Sequence, residues 1–181
     1  MTTWTIDSTH SATEFSVKHM MISTVRGRFA KFTGTGETND VGALTSVAMD
    51  IETASIDTHT AQRDDHLRSA DFFDSAAYPL MTFRSTAITQ QGSDLSITGD
   101  LTIRGVTHPI TLVGEYNAPV IDPWGNQRAA LAVSGKLSRK QWGLEWNMAL
   151  EAGGVIVSDE VKLTIEAEAV APAPTTVAAA A

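Results

Sequence analysis

Residues 95–104 read Leu95-Ser96-Ile97-Thr98-Gly99-Asp100-Leu101-Thr102-Ile103-Arg104, and every odd position is apolar or glycine while every even one is polar. Successive side chains of an extended chain point to opposite faces, so this alternation predicts a half-buried β-strand. Strands with one wet face are the antiparallel kind. The same period of two runs through residues 47–52, 81–86, 131–138 and 161–168. With the less regular stretches 12–19, 28–37 and 110–117, the count is about eight strands. Turn formers fall between them, in Thr38-Asn39-Asp40-Val41-Gly42, Gln91-Gly92-Ser93-Asp94, His108-Pro109 and Asp122-Pro123-Trp124-Gly125-Asn126.

Eight such strands build either a sandwich or a closed barrel, and a barrel removes the exposed edges. The alternating segments exceed the usual five or six residues, which at about 3.3 Å per residue gives strands on the order of 30 Å long. Small residues also fall on the predicted inward face at Gly99, Gly135 and Ala167. They either widen an interior cavity or mark bulges and bends. The expected fold is an all-β, eight-stranded antiparallel barrel with a cavity. At its amino terminus, Trp4 and Ile6 are apolar at even positions, whereas Phe15, Val17 and His19 are odd. One regular strand cannot turn all five inward, so the turn-rich Asp7-Ser8-Thr9-His10-Ser11-Ala12-Thr13 must shift the register.

Alternation stops at Ile56. In the following Asp57-Thr58-His59-Thr60-Ala61-Gln62-Arg63-Asp64-Asp65-His66-Leu67-Arg68-Ser69-Ala70-Asp71-Phe72-Phe73-Asp74, residues Arg63, Leu67 and Ala70 share helical spacing, which predicts a short helix over about 60–70. Asp57 or Thr58 is the expected cap. A short helix with so narrow an apolar stripe, followed at once by Phe72 and Phe73, fits across one end of the barrel as a lid. Arg63 and His66, with Asp64, are expected to tie it down by hydrogen bonds and ion pairs; contact with a ligand head group is the other role open to them.

The chain has 181 residues, 43% of them hydrophobic and 19% charged, which suits one globular domain. A net charge of −8 and no basic cluster argue against nucleic acid and anionic surfaces as partners. The absence of cysteine excludes disulfides, thiolate nucleophiles and sulfur-ligated metal. No apolar run reaches the roughly 20 residues of a membrane-spanning helix. The start, Met1-Thr2-Thr3-Trp4-Thr5, lacks the pattern of a secretory leader, which predicts a soluble, cytoplasmic protein. Residues 171–181, rich in alanine and proline, read as a flexible tail outside a domain of residues 1–170.

Several short motifs occur in a characteristic order. They are Trp4-Thr5-Ile6-Asp7 with His10-Ser11, Val25-Arg26-Gly27-Arg28-Phe29, Arg63-Asp64-Asp65-His66-Leu67, Asp71-Phe72-Phe73-Asp74, Tyr78-Pro79, Phe83-Arg84-Ser85, Gly99 to Thr107, and Ser138-Arg139-Lys140-Gln141-Trp142-Gly143-Leu144. In this order the sequence resembles the YceI-like family from about residue 3 to 169. The resemblance implies a lipocalin-like barrel, often dimeric, that holds a long isoprenoid or other lipid in its interior and needs no other cofactor. Many family members are periplasmic.

The expected ligand wall is Phe15, Val17, His19, Phe29, Met49, Ile51, Phe83, Leu101, Ile103, Trp142, Leu163 and Ile165, with Arg63, His66, Leu67, Phe72 and Phe73 in the lid. Each wall residue is equally compatible with a packed core. The rival reading is an enzyme acting on a small apolar substrate with His10, His19, His59, His66, Asp57, Asp64 and Arg63 at the barrel mouth. No G-x-S-x-G, H-E-x-x-H or dinucleotide fingerprint supports it, and no metal site is expected. Trp124, Trp142 and Trp146 are expected in loops, either bordering the mouth or packed on the rim.

Overall fold

The computed structural model describes residues 1–151 and 153–172. Its strands are β1 (Thr2–Ile6), β2 (Ala12–His19), β3 (Ser23–Phe29), β4 (Phe32–Thr38), β5 (Leu44–Glu52), β6 (Ile56–Asp57), β7 (Leu80–Gln91), β8 (Asp94–Ile103), β9 (Val106–Ile121), β10 (Gln127–Ser138) and β11 (Val157–Ala171). The one α-helix among the described residues, α1 (Ala61–Arg68), lies between β6 and β7.

These eleven pieces make eight barrel staves, because three staves are each interrupted once. β1 and β2 both pair with β11, along its end and its beginning respectively. β3 and β4 form the next stave, pairing with β2 and β1. β5 and β6 form the third, pairing with β4 and β3. β7 to β11 then follow as an uninterrupted meander. All pairs are antiparallel, and the contact of β1 with β11, Thr5 opposite Val170, closes the ring. A closed sheet leaves no edge to be satisfied by another chain.

The breaks have local causes. In the first stave, Asp7 Oδ1 accepts hydrogen bonds from the Thr9 N–H at 3.0 Å and its hydroxyl at 2.6 Å, a turn that shifts the inward set from even to odd positions. The Ser11 hydroxyl donates to the Asp7 carbonyl at 2.7 Å and receives the Glu168 N–H at 3.0 Å, anchoring the turn to β11. The breaks at Ala30-Lys31 and at the 3₁₀ turn Thr53–Ser55 are side by side and bonded to each other, Ala30 N–H to the Ser55 carbonyl and Glu52 N–H to the Lys31 carbonyl, each at 3.0 Å.

α1 is shorter than the expected 60–70, and neither Asp57 nor Thr58 caps it. Thr60 holds the cap position without a side-chain bond. The polarity is reversed: buried Asp64, inside the helix, accepts from the Thr58 N–H at 2.9 Å and its hydroxyl at 2.5 Å. The strand end is therefore tied to the helix.

Gly99 and Gly135 do not leave voids. A Cβ on Gly99 would lie 2.4 Å from the Phe83 ring and 2.6 Å from the Arg84 carbonyl. A Cβ on Gly135 would lie 2.8 Å from Leu112. Each glycine makes room for an inward side chain of a neighbouring stave. Ala171 is not part of a tail, since it is buried at the end of β11 opposite Gln127. The remainder of the expected tail, 173–181, lies outside the described residues. Among the described residues, no helix is long and apolar enough to cross a membrane.

Candidate functional site

The inward faces of the staves enclose an apolar cavity that opens to solvent, and about 1640 Å³ of space free of protein atoms lies within it and around its opening. Its wall is built by alternation. Val47, Met49 and Ile51 come from β5, Met81 and Phe83 from β7, Ile97, Leu101 and Ile103 from β8, and Val161, Leu163 and Ile165 from β11.

Of the twelve residues expected in the wall, ten line the cavity: Phe15, Val17, Phe29, Met49, Ile51, Phe83, Leu101, Ile103, Leu163 and Ile165. His19 and Trp142 do not. His19 ends β2, still in regular register with β3 opposite Ser23 but past the irregularity in the β2–β11 pairing, and it lies beyond the residues that line the cavity. Trp142 is fully buried in a 3₁₀ turn beneath the barrel wall, where its indole N–H donates to the Leu101 carbonyl at 3.0 Å and His108 packs edge-on at 5.2 Å. Trp124 stands 79% exposed at the β9–β10 turn. Neither tryptophan borders a mouth.

The lid divides in two. Phe72 and Phe73 line the cavity, whereas Arg63, His66 and Leu67 do not. Phe73 meets Phe29 edge-on at 5.6 Å, and Phe29 meets Phe15 at 5.7 Å, so an aromatic stack runs from the lid into the wall. Phe72 packs against Trp146 at 5.4 Å, and His66 stands edge-on to both rings. Behind them the polar groups brace the segment. Arg63 Nε donates to the Thr58 hydroxyl at 2.7 Å and its Nη2 to the Thr58 carbonyl at 2.8 Å. His66 Nε2 is paired with Asp71 at 2.8 Å. Arg68, not singled out in the sequence, donates to the carbonyls of Ala54 at 2.8 Å and Ile56 at 3.0 Å, clamping α1 to the barrel.

Sequence reasoning also missed Arg139, which is 4% exposed and lines the cavity. Its guanidinium donates to the carbonyls of Leu144, Trp146, Ser158 and Val157, stitching the 143–156 excursion onto the barrel end. Burial lowers its pKa, and the charge of Asp159 opposes that shift. An arginine just past a strand end, between Ser138 and Lys140, carries no periodic signal, so its inward placement was not readable. Glu14 and Tyr116 are the other titratable groups of the described wall. Glu14 is itself exposed, and burial raises the Tyr116 pKa.

A second polar cluster sits outside the cavity. Asp7, His10 and Glu168 present ligand atoms within 4.8 Å of one another. Their carboxylates are already bound, because Arg128 pairs with Asp7, Asp122 and Glu168. The Thr9 hydroxyl, followed by His10 and the Thr9 N–H, holds Asp7 far below the usual carboxylate range. Glu168, then Asp122 and Asp7, hold the Arg128 charge more firmly still. The cluster is an ion-pair knot joining the first break to β10 and β11.

A YceI-like domain model matches residues 4–169. The chain belongs to the YceI-like family. A UPF0312 protein of Staphylococcus aureus strain USA300 is 38% identical over 171 residues, covering 93% of this chain and 97% of that protein. The YceI protein of Campylobacter jejuni superposes with a TM-score of 0.74 at 28% identity, over 84% of this chain and 88% of that one. BcnA of Burkholderia cenocepacia gives 0.73 at 25% identity, over 90% and 98%. A polyisoprenoid binding domain from Saccharophagus degradans, implicated in plant cell wall breakdown, shares the YceI-like fold at 0.70 and 16% identity, over 95% and 100%.

Proposed function

We propose that this protein binds one long-chain isoprenoid or related amphiphilic lipid inside its barrel, for carriage, storage or sequestration, and performs no reaction of its own. The observation that carries the reading is the cavity itself, an interior space walled by aliphatic and aromatic side chains, with Glu14, Tyr116 and Arg139 its few titratable groups. A hydrocarbon chain of ~20 carbons gains roughly 16 kcal/mol gross at about 0.8 kcal/mol per methylene. Association and chain ordering take back about 4 to 15 kcal/mol. Useful affinity survives without a polar contact. The polyisoprenoid binding of the Saccharophagus domain, on the same fold, supports the same ligand class.

The residues of the enzyme reading do not gather at the cavity. His10, His19, His59, His66, Asp57, Asp64 and Arg63 all lie off the cavity wall. Several are engaged in turns and braces, such as His10 with Asp7 and Arg63 with Thr58. Organic extraction of natively purified protein followed by mass spectrometry tests the proposal. A stoichiometric isoprenoid or acyl lipid is expected; protein that carries none and takes up none from added isoprenoid overturns it.

A further inference from the structure

The hairpin tip between β2 and β3 is Met20-Met21-Ile22, and these residues are 40%, 64% and 83% exposed. Exposed hairpin tips usually carry glycine, asparagine or aspartate, above all where φ is positive. Here Met20 and Met21 hold φ of 51° and 60°. Two apolar side chains thus occupy a backbone conformation that favours glycine, and both are exposed. Beside them, Met148 and Val155 are exposed on the neighbouring excursion. The Met20 N–H donates to the Ile156 carbonyl at 2.7 Å, and the Ile156 N–H to that of Met148 at 3.1 Å, so both segments form one apolar projection.

This projection stands at the lid end of the barrel. The excursion that supports the tip also carries Trp146, whose ring packs on Phe72 of the lid. Behind the tip, the outward face of the hairpin bears Lys18 and Arg26, both exposed and neither in an ion pair among the described residues. Lys18 Nζ bonds only the Thr24 hydroxyl, at 3.0 Å. An apolar prong backed by two free cations matches the layering of a bilayer surface, acyl chains below and phosphates above.

We propose that the Met20–Ile22 hairpin tip docks this barrel on a lipid bilayer bearing anionic headgroups, with the lid end facing the membrane. The proposal rests on the reading of the cavity as a lipid store, and it deepens that reading by giving the lipid a route. A long-chain lipid has almost no aqueous solubility, so passage between cavity and membrane is fast only where the lid meets the bilayer directly. The net charge of −8 opposes general adhesion to such a surface, which leaves local insertion as the means of attachment.

Flotation with phosphatidylcholine–phosphatidylglycerol vesicles tests it, using the full chain in wild-type form, the double variant Met21→Asp/Ile22→Asp and the double variant Lys18→Gln/Arg26→Gln. The tip lies outside the core, so circular dichroism and melting are expected to stay at wild-type values. The aspartate pair is expected to lose on the order of tenfold or more in vesicle affinity. The glutamine pair loses about fivefold per charge on mixed vesicles and little on pure phosphatidylcholine. Wild-type protein that does not float, or an aspartate pair that floats equally well, overturns the proposal. So does a wild-type dimer that the aspartate pair converts to monomer, since the tip then serves a second copy. Docking by protein that never holds a chain would instead remove the cavity reading and leave the membrane contact standing.

Discussion

Ala167→Phe separates a hollow barrel from a packed one through two readouts of opposite sign. Ala167 lies on β11 opposite Leu131, is buried, and faces the cavity. In a solid core, the added ring would force overpacking at a cost of about 1 to 3 kcal/mol. At about 2 to 4 °C per kcal/mol for a chain of this size, the melting temperature would fall by roughly 2 to 12 °C. In a hollow barrel the ring enters empty space, and the ligand-free protein melts at or above the wild-type temperature. The ligand bears the loss instead. A phenyl ring displaces about six chain carbons, which at ~0.8 kcal/mol each is about 5 kcal/mol gross. That corresponds to about three orders of magnitude in Kd. Scanning calorimetry of delipidated protein reads the first quantity, and lipid recovered per protein reads the second. A variant that melts lower and still carries wild-type amounts of lipid would refute the cavity reading.

Replacing Phe72 and Phe73 together by aspartate removes the contacts with Trp146 and Phe29 that close the lid, so transfer of a bound fluorescent isoprenoid to acceptor vesicles is expected to accelerate on the order of tenfold; an unchanged rate would show that the lid does not gate. Arg128→Gln is expected to lower stability most at neutral pH. Asp7 and Asp122 have folded pKa values below their unfolded ones, so the stabilisation they carry is complete above roughly pH 4 and is lost as pH falls through the lower folded values. For Asp122, burial acts the other way but is outweighed by hydrogen bonds from Asn126, Arg128 and Trp124. The stability gap between wild type and variant, followed by denaturant titration from pH 7 down to about 3, should therefore narrow below roughly pH 4, and a constant gap would contradict the ion-pair knot. Trp142→Phe leaves the Leu101 carbonyl without its indole donor and is expected to cost about 1 to 3 kcal/mol in a thermal melt, with lipid occupancy kept because Trp142 is off the wall.

The wall was legible where alternation was strict. Met49 and Ile51, Leu101 and Ile103, and Leu163 and Ile165 each sit two apart in long regular strands, and each pair faces the cavity. The same rule extends to Ile97, which was not named although it shares the odd register of Leu101. His19 fails because alternation gives the face of a residue but not where along the strand the cavity ends, and His19 is the last residue of β2. The position of Phe72 and Phe73 after a short polar helix pointed to the cavity that both line, but the bracing was only partly legible. Asp64 reaching back to Thr58, and Arg68 reaching the carbonyls of Ala54 and Ile56, depend on where a kinked stave brings its backbone. No residue spacing encodes that.

The order of polar and apolar residues along the chain determined by itself that this protein is built of antiparallel strands with one oily face, because side chains on an extended backbone must alternate. Whether that face encloses a void was decided only in three dimensions. The ring closes where Thr5 meets Val170, residues 165 positions apart, and the three interrupted staves bend at Asp7, Ala30 and Thr53 to let it close. Alternation tells each residue which side of the sheet it is on, but not how tightly the sheet curls. The space left inside depends on that curvature and on which rings the inward glycines admit.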